Sequence, residues 1–319
     1  MRKGQSLLWA VALTAASVAW AGEGQPAEEK KPDRSPARGT PPPIPLHTIE
    51  GVSGVFITPT AYFANLPEDD GWWGKPSVAE SFVDLSHDRN LSATTITTNF
   101  FRRFELGYSF IRLHLGDWPD DIQTITGAHT KSNVRLNTLN ARAMLIREGE
   151  WDTSWVPAVT AGVAYKHNNS IWQINDDLHG ACKSVLGVKD DDGWEATLTA
   201  SKMFVGILPR PFILSAGLRN TDAAQIGLLG FSGDRRTLFE GSAVFFVTDR
   251  LLLAGEYRQK PDDLGRVPTG VGKEDDWWTL AAAYIVNDHL TAALGYGHFG
   301  NILNHDENAG WAVQLKWEF

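Results

Sequence analysis

Apolar and polar residues alternate along most of the chain beyond residue 78. The last run is the plainest. Trp311, Val313, Leu315, Trp317 and Phe319 are apolar, while Ala312, Gln314, Lys316 and Glu318 between them are small, polar or charged. Successive side chains of a strand point to opposite faces, so this run predicts a strand with one greasy and one wet face. The same period of two runs through Phe104, Leu106, Tyr108 and Phe110, and through Val159, Ala161, Val163 and Tyr165. It recurs at Trp194, Ala196, Leu198 and Ala200, at Phe212, Leu214, Ala216 and Leu218, and at Leu290, Ala292, Leu294 and Tyr296. In all, the pattern predicts about twelve strands, near 78–87, 91–100, 103–113, 134–146, 156–166, 194–204, 212–220, 237–247, 251–259, 277–286, 289–298 and 311–319.

The links between these strands alternate in length. Short ones fall at 102–103, 205–211, 248–250 and 287–288, an intermediate one at 147–155, and long ones at 116–133, 168–193, 221–236, 261–276 and 300–310; only the link near 88–90 is short on the long-loop side. Transmembrane barrels have this arrangement, with short periplasmic turns and long outer loops. About ten residues rising roughly 3.3 Å each, tilted by about 40°, also match an apolar band of about 25 Å. Trp194, Trp278 and Trp311 each open a strand that follows a long loop, which puts them at one level. Trp155, Trp317 and Phe319 fall at the opposite level. Two such girdles suit the two membrane interfaces, whereas a soluble sandwich gathers its aromatics in mid-strand. The expected fold is therefore all-β: a transmembrane antiparallel β-barrel of about twelve strands, of the outer-membrane type.

The N-terminal part has a different composition. Arg2 and Lys3 precede an apolar stretch over 7–20, and Ala19-Trp20-Ala21 offers a small-x-small cleavage pattern. Residues 1–21 thus read as a signal peptide, too short in apolar length to be a spanning helix, and place the chain in the outer membrane after export. Residues 22–46, rich in Pro and charge, read as a disordered linker. Residues 47–77 are expected to form an extra strand or a plug in the lumen, and 78–319 the barrel.

Charge and chemistry narrow the function. With 29 Lys and Arg against 38 Asp and Glu, the net charge of −9 argues against a nucleic-acid partner. Mean hydropathy is −0.22, which a barrel tolerates because lumen and loop residues dilute its apolar face. The single cysteine, Cys182, excludes an internal disulfide. The stretch 295–300 fits G-x-G-x-x-G but lies in a strand with no helix to follow, so no dinucleotide site or other cofactor is expected. His298 sits on an apolar strand face with no serine on the neighbouring faces, which disfavours a lipid hydrolase. Acidic groups at 176–177, 190–192, 274–276 and 305–307 fit no calcium loop and read as solvated charge; no metal site is expected. The wet faces carry Glu105, Arg142, Lys166, Glu195, Lys202, Arg219, Glu240, Glu256, Arg258 and Lys316. These ten are expected to face the lumen, where they either line a water-filled pore or pair with one another and fill it.

Several blocks carry a resemblance. They are Gln225-Ile-Gly-Leu-Leu-Gly-Phe-Ser-Gly-Asp234, the run from Val247 to Leu264, Glu274-Asp-Asp276 and the run from Gly300 to Trp311, together with Ile49-Glu50-Gly51. They resemble a bacterial family catalogued as domain of unknown function 3034, which implies an exported, barrel-like protein of Gram-negative bacteria and no established activity. The ending on Phe319 is similar to the closing strand of outer-membrane barrels, which the barrel-insertion machinery recognises. Outer-membrane lipid and lipopolysaccharide are the other expected partners. The function expected is a non-enzymatic, low-selectivity passive channel for small solutes. The alternative is a closed structural or assembly barrel that binds a partner through its loops or N-terminal tail.

Overall fold

The computed structural model of the chain describes residues 46–67, 71–262, 264–265 and 271–319. The expected signal peptide and all of the expected linker but Leu46 lie outside the described residues. Two short strands, β1 (Leu46–His47) and β2 (Ser53–Gly54), pair with each other. They are followed by β3 (Trp73–Asp84), β4 (Arg89–Phe100), β5 (Phe104–Leu115), helix α1 (Trp118–Thr126), β6 (Asn133–Ile146) and β7 (Ala158–Asn168). Helices α2 (Ile171–Asp177) and α3 (Ala181–Ser184) then precede β8 (Asp192–Phe204), β9 (Phe212–Ala223), β10 (Phe231–Phe246), β11 (Leu251–Arg258) and β12 (Trp277–Ile285). The chain ends with β13 (Leu290–His298), a small hairpin of β14 (Gly300–Ile302) and β15 (His305–Glu307), and β16 (Gly310–Glu318).

Twelve of these strands form a closed antiparallel ring, each paired with its neighbour in the chain except where the β14–β15 hairpin intervenes. The ring shuts where β16 pairs with β3, from Trp311 opposite Asp84 to Glu318 opposite Ser77. Closure matters because an open sheet edge would leave unpaired N–H and C=O groups in lipid. The first barrel strand starts at Trp73, earlier than the alternation suggests. A break in the β3–β4 register between Gly74 and Ser77 explains why, since Pro76 has no N–H to donate and interrupts the period. The loops over 116–133 and 168–193 contain helices that the alternation does not predict. α1 carries the marks of a helix start, with Pro119 in its first turn, Asp120 and Asp121 close behind, and Gly127 left-handed at its C-terminus.

The outer face of the ring is apolar. Leu106, Leu139, Val163, Leu198, Leu214, Leu280 and Leu294 are exposed along the strands. At the loop end Trp194 packs on Tyr165 (5.0 Å between rings), and Tyr296 lies between Trp278 and Trp311 (5.9 and 5.1 Å). At the turn end Trp72 stacks on Phe100, Phe204 on Phe212 and Trp317 on His289. Trp155 and Phe319 are also exposed at the turn end. Leu294 stands in mid-strand and is 63 % exposed, so Leu294→Arg puts a charge against the middle of the lipid. It is expected to cost about 2–4 kcal/mol of barrel stability, read as a lower urea midpoint for refolding into vesicles.

The loop end is roofed. Leu115 and Val134 at the strand tips pack with Trp118 of α1, Ile171 and Ile174 of α2, and Cys182 of α3 in one apolar cluster that also takes in Leu228, Val271 and Leu303. Burial pushes the Cys182 thiol up to about 11. At pH 8 the folded chain is therefore expected to resist thiol reagents and to react only once boiled, because the thiolate is the nucleophile. Labelling of the folded barrel within minutes would show that the roof opens. The acidic groups of the roof are not all solvated charge: Glu307 is fully buried, pairs with Arg89, and accepts the Ser86 N–H and hydroxyl (2.8 Å each).

Candidate functional site in the barrel lumen

The interior is occupied by the chain itself. Every residue from Leu46 to Ala64 is buried, and its polar bonds run to strands on all sides of the ring. Both ends of this finger lie at the turn end. His47 touches Ser77 and Thr97 through Nε2 (2.6 and 2.9 Å) and Thr95 through Nδ1 (2.9 Å). Gln314 of β16 brackets the His47 backbone, accepting its N–H (3.1 Å) and donating to its carbonyl (2.8 Å). At the far end Asn65 donates to the Lys75 carbonyl (3.1 Å). Between those points the finger climbs toward the roof, and Ile49, Phe56 and Ile57 join the roof's apolar cluster.

Three carboxylates secure it. Glu50, at the turn after β1, meets Lys166 of β7 (2.5 Å), Arg258 of β11 and, at 3.6 Å, Arg219 of β9. Those cations also face Glu195 and Glu240. Lys166 lies 2.9 Å from Glu195, Arg219 lies 2.5 Å from Glu195 and 3.1 Å from Glu240, and Arg258 lies 3.1 Å from Glu240. Glu256 of β11 is the second. It accepts the N–H groups of Phe56 (3.1 Å), Ile57 (2.9 Å) and Thr58 (2.7 Å), and the hydroxyls of Thr58 (2.8 Å) and Thr279 (2.5 Å). Glu105 of β5 is the third. It accepts the Ser53 N–H (3.2 Å) and hydroxyl and pairs with Arg142 of β6 at 2.7 Å; Arg142 in turn donates to the Thr60 carbonyl (2.7 Å). A buried carboxylate needs such donors, because charge removed from water is costly unless it is paired and hydrogen-bonded.

Glycine sets how closely finger and wall approach. A Cβ on Gly107 of β5 would lie 1.9 Å from the Gly51 carbonyl oxygen, and Gly51 itself is left-handed (φ +85°) with the Tyr108 carbonyl oxygen 2.7 Å from where its own Cβ would be. The backbones touch there, and only glycine on both sides permits it.

Nine of the ten wall charges named from the sequence are buried. Lys166, Glu195, Arg219, Glu240 and Arg258 converge on Glu50; Glu105 and Arg142 converge on Ser53; Glu256 holds 56–58. Lys316 is buried at the turn end with its Nζ on Glu318 (2.5 Å). Lys202, the tenth, is half-buried there and shares Glu148 with the Tyr62 hydroxyl. Sequence reasoning missed the finger's own contributors, Glu50 above all. The signal was present as the only charged residue between His47 and Pro67. His298 stacks flat on Trp278 at 5.8 Å on the outer face. Among the described residues no group of three His, Cys, Asp or Glu side chains is placed to hold a metal ion.

The model of the family described as "Protein of unknown function (DUF3034)" matches residues 45–316. No curated protein matches. Among solved structures the chain is similar to a KdgM porin (9 % identity, 76 % of this chain and 99 % of that one, TM-score 0.44). It is also similar to the outer membrane protein Omp33 of Acinetobacter baumannii (11 %, 78 % and 100 %, 0.44). A third is an outer membrane channel from Pseudomonas putida F1 (10 %, 80 % and 100 %, 0.40).

Proposed function

The chain belongs to the DUF3034 family, and for this member we propose a gated passive channel of the outer membrane, closed at rest by its own residues 46–67 and open to small solutes when they withdraw. One observation carries the reading. The lumen is filled by a finger whose two ends lie at the same end of the barrel, so it can leave without threading through the ring. With short turns facing the periplasm, it leaves in that direction. The wall supports the same reading. Buried ion pairs stabilise a protein less than apolar side chains of the same volume. A barrel meant only to be solid has no need of nine buried charges; a wall that is wet whenever the finger is out does. Withdrawal also takes Ile49, Phe56 and Ile57 from beneath the roof.

Outer-membrane lipid and lipopolysaccharide cover the apolar band on this reading, and the β16 run through Trp317 and Phe319 is what the insertion machinery would recognise. The test is conductance in planar bilayers. The full chain should be mostly silent, and a variant lacking 46–67 should conduct in discrete steps while still migrating as a folded barrel before boiling. A folded but silent deletion variant would leave the second reading, a closed structural barrel. The observation on that side is the covered loop end, with Glu307 and Arg89 paired beneath it.

A further inference from the structure

The wall charges around Glu50 balance only while the finger is in place. Lys166, Arg219 and Arg258 supply three cations; Glu195, Glu240 and Glu50 supply three carboxylates, all at most 9 % exposed. Five of the six belong to the ring and cannot leave it. Glu50 alone sits on the finger. Its departure leaves three cations, on β7, β9 and β11, alternating with two carboxylates, on β8 and β10, along one stretch of the wall. The two ring carboxylates cannot satisfy every donor even now, for Arg258 Nη2 is buried with no hydrogen-bond acceptor among the described residues. Two guanidinium forks and an ammonium converging on one carboxylate make a site with carboxylate geometry.

We propose that Lys166, Arg219 and Arg258 form a binding site for the carboxylate of a small anionic solute, and that Glu50 is the built-in occupant of that site in the closed state. The inference deepens the gated-channel reading and rests on it for the solute's passage, but the site itself can be tested without any conductance. An anion that reaches the lumen competes with Glu50, so the same contact that closes the barrel selects what opens it. The remaining wall excess favours anions in transit. One unbalanced charge at about 4 Å enriches a monovalent anion about fivefold over a neutral solute even at the dielectric constant of water.

The first experiment is chemical rescue on the full chain. Glu50→Ala removes the carboxymethyl group and leaves the three cations. Its unboiled, folded form in detergent should melt to the boiled mobility at a lower temperature than wild type. Acetate, which carries the deleted atoms, should restore the midpoint, while neutral acetamide at the same concentration and ionic strength should not, and wild type should gain stability from neither. Equal responses to the two compounds, or none, overturn the site. Should Glu50→Ala not fold, the isosteric Glu50→Gln is titrated calorimetrically with glucuronate and with glucose; equal heats overturn the site as well. The second experiment reads ion preference of Glu50→Gln in a potassium chloride gradient. A reversal potential on the chloride side supports the proposal, and one on the potassium side overturns the solute class. Rescue by acetate without any current would keep the anion site and reject the channel.

Discussion

Glu50→Gln is expected to raise the open fraction of the barrel by more than about a hundredfold. The amide keeps the shape of the side chain and removes its charge, leaving Lys166, Arg219 and Arg258 with one carboxylate too few. Breaking a buried ion pair from one side typically costs about 3–5 kcal/mol, because the surviving charge stays out of water. Here the finger has an alternative that a solid core lacks. It can withdraw and let water reach the three cations, so the cost appears as opening rather than as unfolding. At about 1.4 kcal/mol per factor of ten, the shift exceeds two orders of magnitude. Single-channel recording checks it directly. A variant as silent as wild type, with an unchanged melting midpoint, would mean that Glu50 does not hold the finger.

Gly107→Ala is expected to dislodge the finger by collision alone. The new methyl group would stand 1.9 Å from the Gly51 carbonyl oxygen; the oxygen belongs to backbone and the methyl carbon is fixed directly to backbone, so no side-chain rotation separates them. Overpacking a tight core costs about 1–3 kcal/mol when side chains can adjust; with a ring strand on one side and a left-handed turn on the other, the finger has to move as a unit. The readout is chymotrypsin cleavage after Phe56, Tyr62 and Phe63, which are buried in the closed barrel and become accessible once they leave the lumen. Gly255→Ala is the control, since its methyl would meet only Leu280 Cδ2 at an ordinary 3.6 Å. Cleavage at equal rates in the two variants would remove the steric account of closure.

These predictions concern residues of unequal legibility. Trp194, Trp278 and Trp311 declare themselves in the chain, because lipid imposes a rule on each strand separately: apolar out, polar in, aromatic at the interface. The wall charges Glu105, Lys166, Arg219 and Arg258 are legible for the same reason, each standing at the right parity in a periodic run. Their partners are not. Glu50 is 116 residues from Lys166 and 208 from Arg258, and nothing local to any of the three signals the others. Glu256 reads as one more lumen charge, yet its function as the cradle for three successive N–H groups needs the finger at its tip. Gly107 looks like any small residue on a wet face until Gly51 is placed against it. The helices over the barrel mouth were missed because short amphipathic stretches between strong strands give a weak period, although Pro119 and Gly127 mark both ends of α1.

The chain by itself determined the ring: twelve strands, their parity, the apolar belt and the charged lining all follow from alternation that each strand carries alone. Only the tertiary structure decided what fills the ring. Closure brings strands from the whole length of the chain around one short segment, and the charges that hold it acquire partners only through that closure.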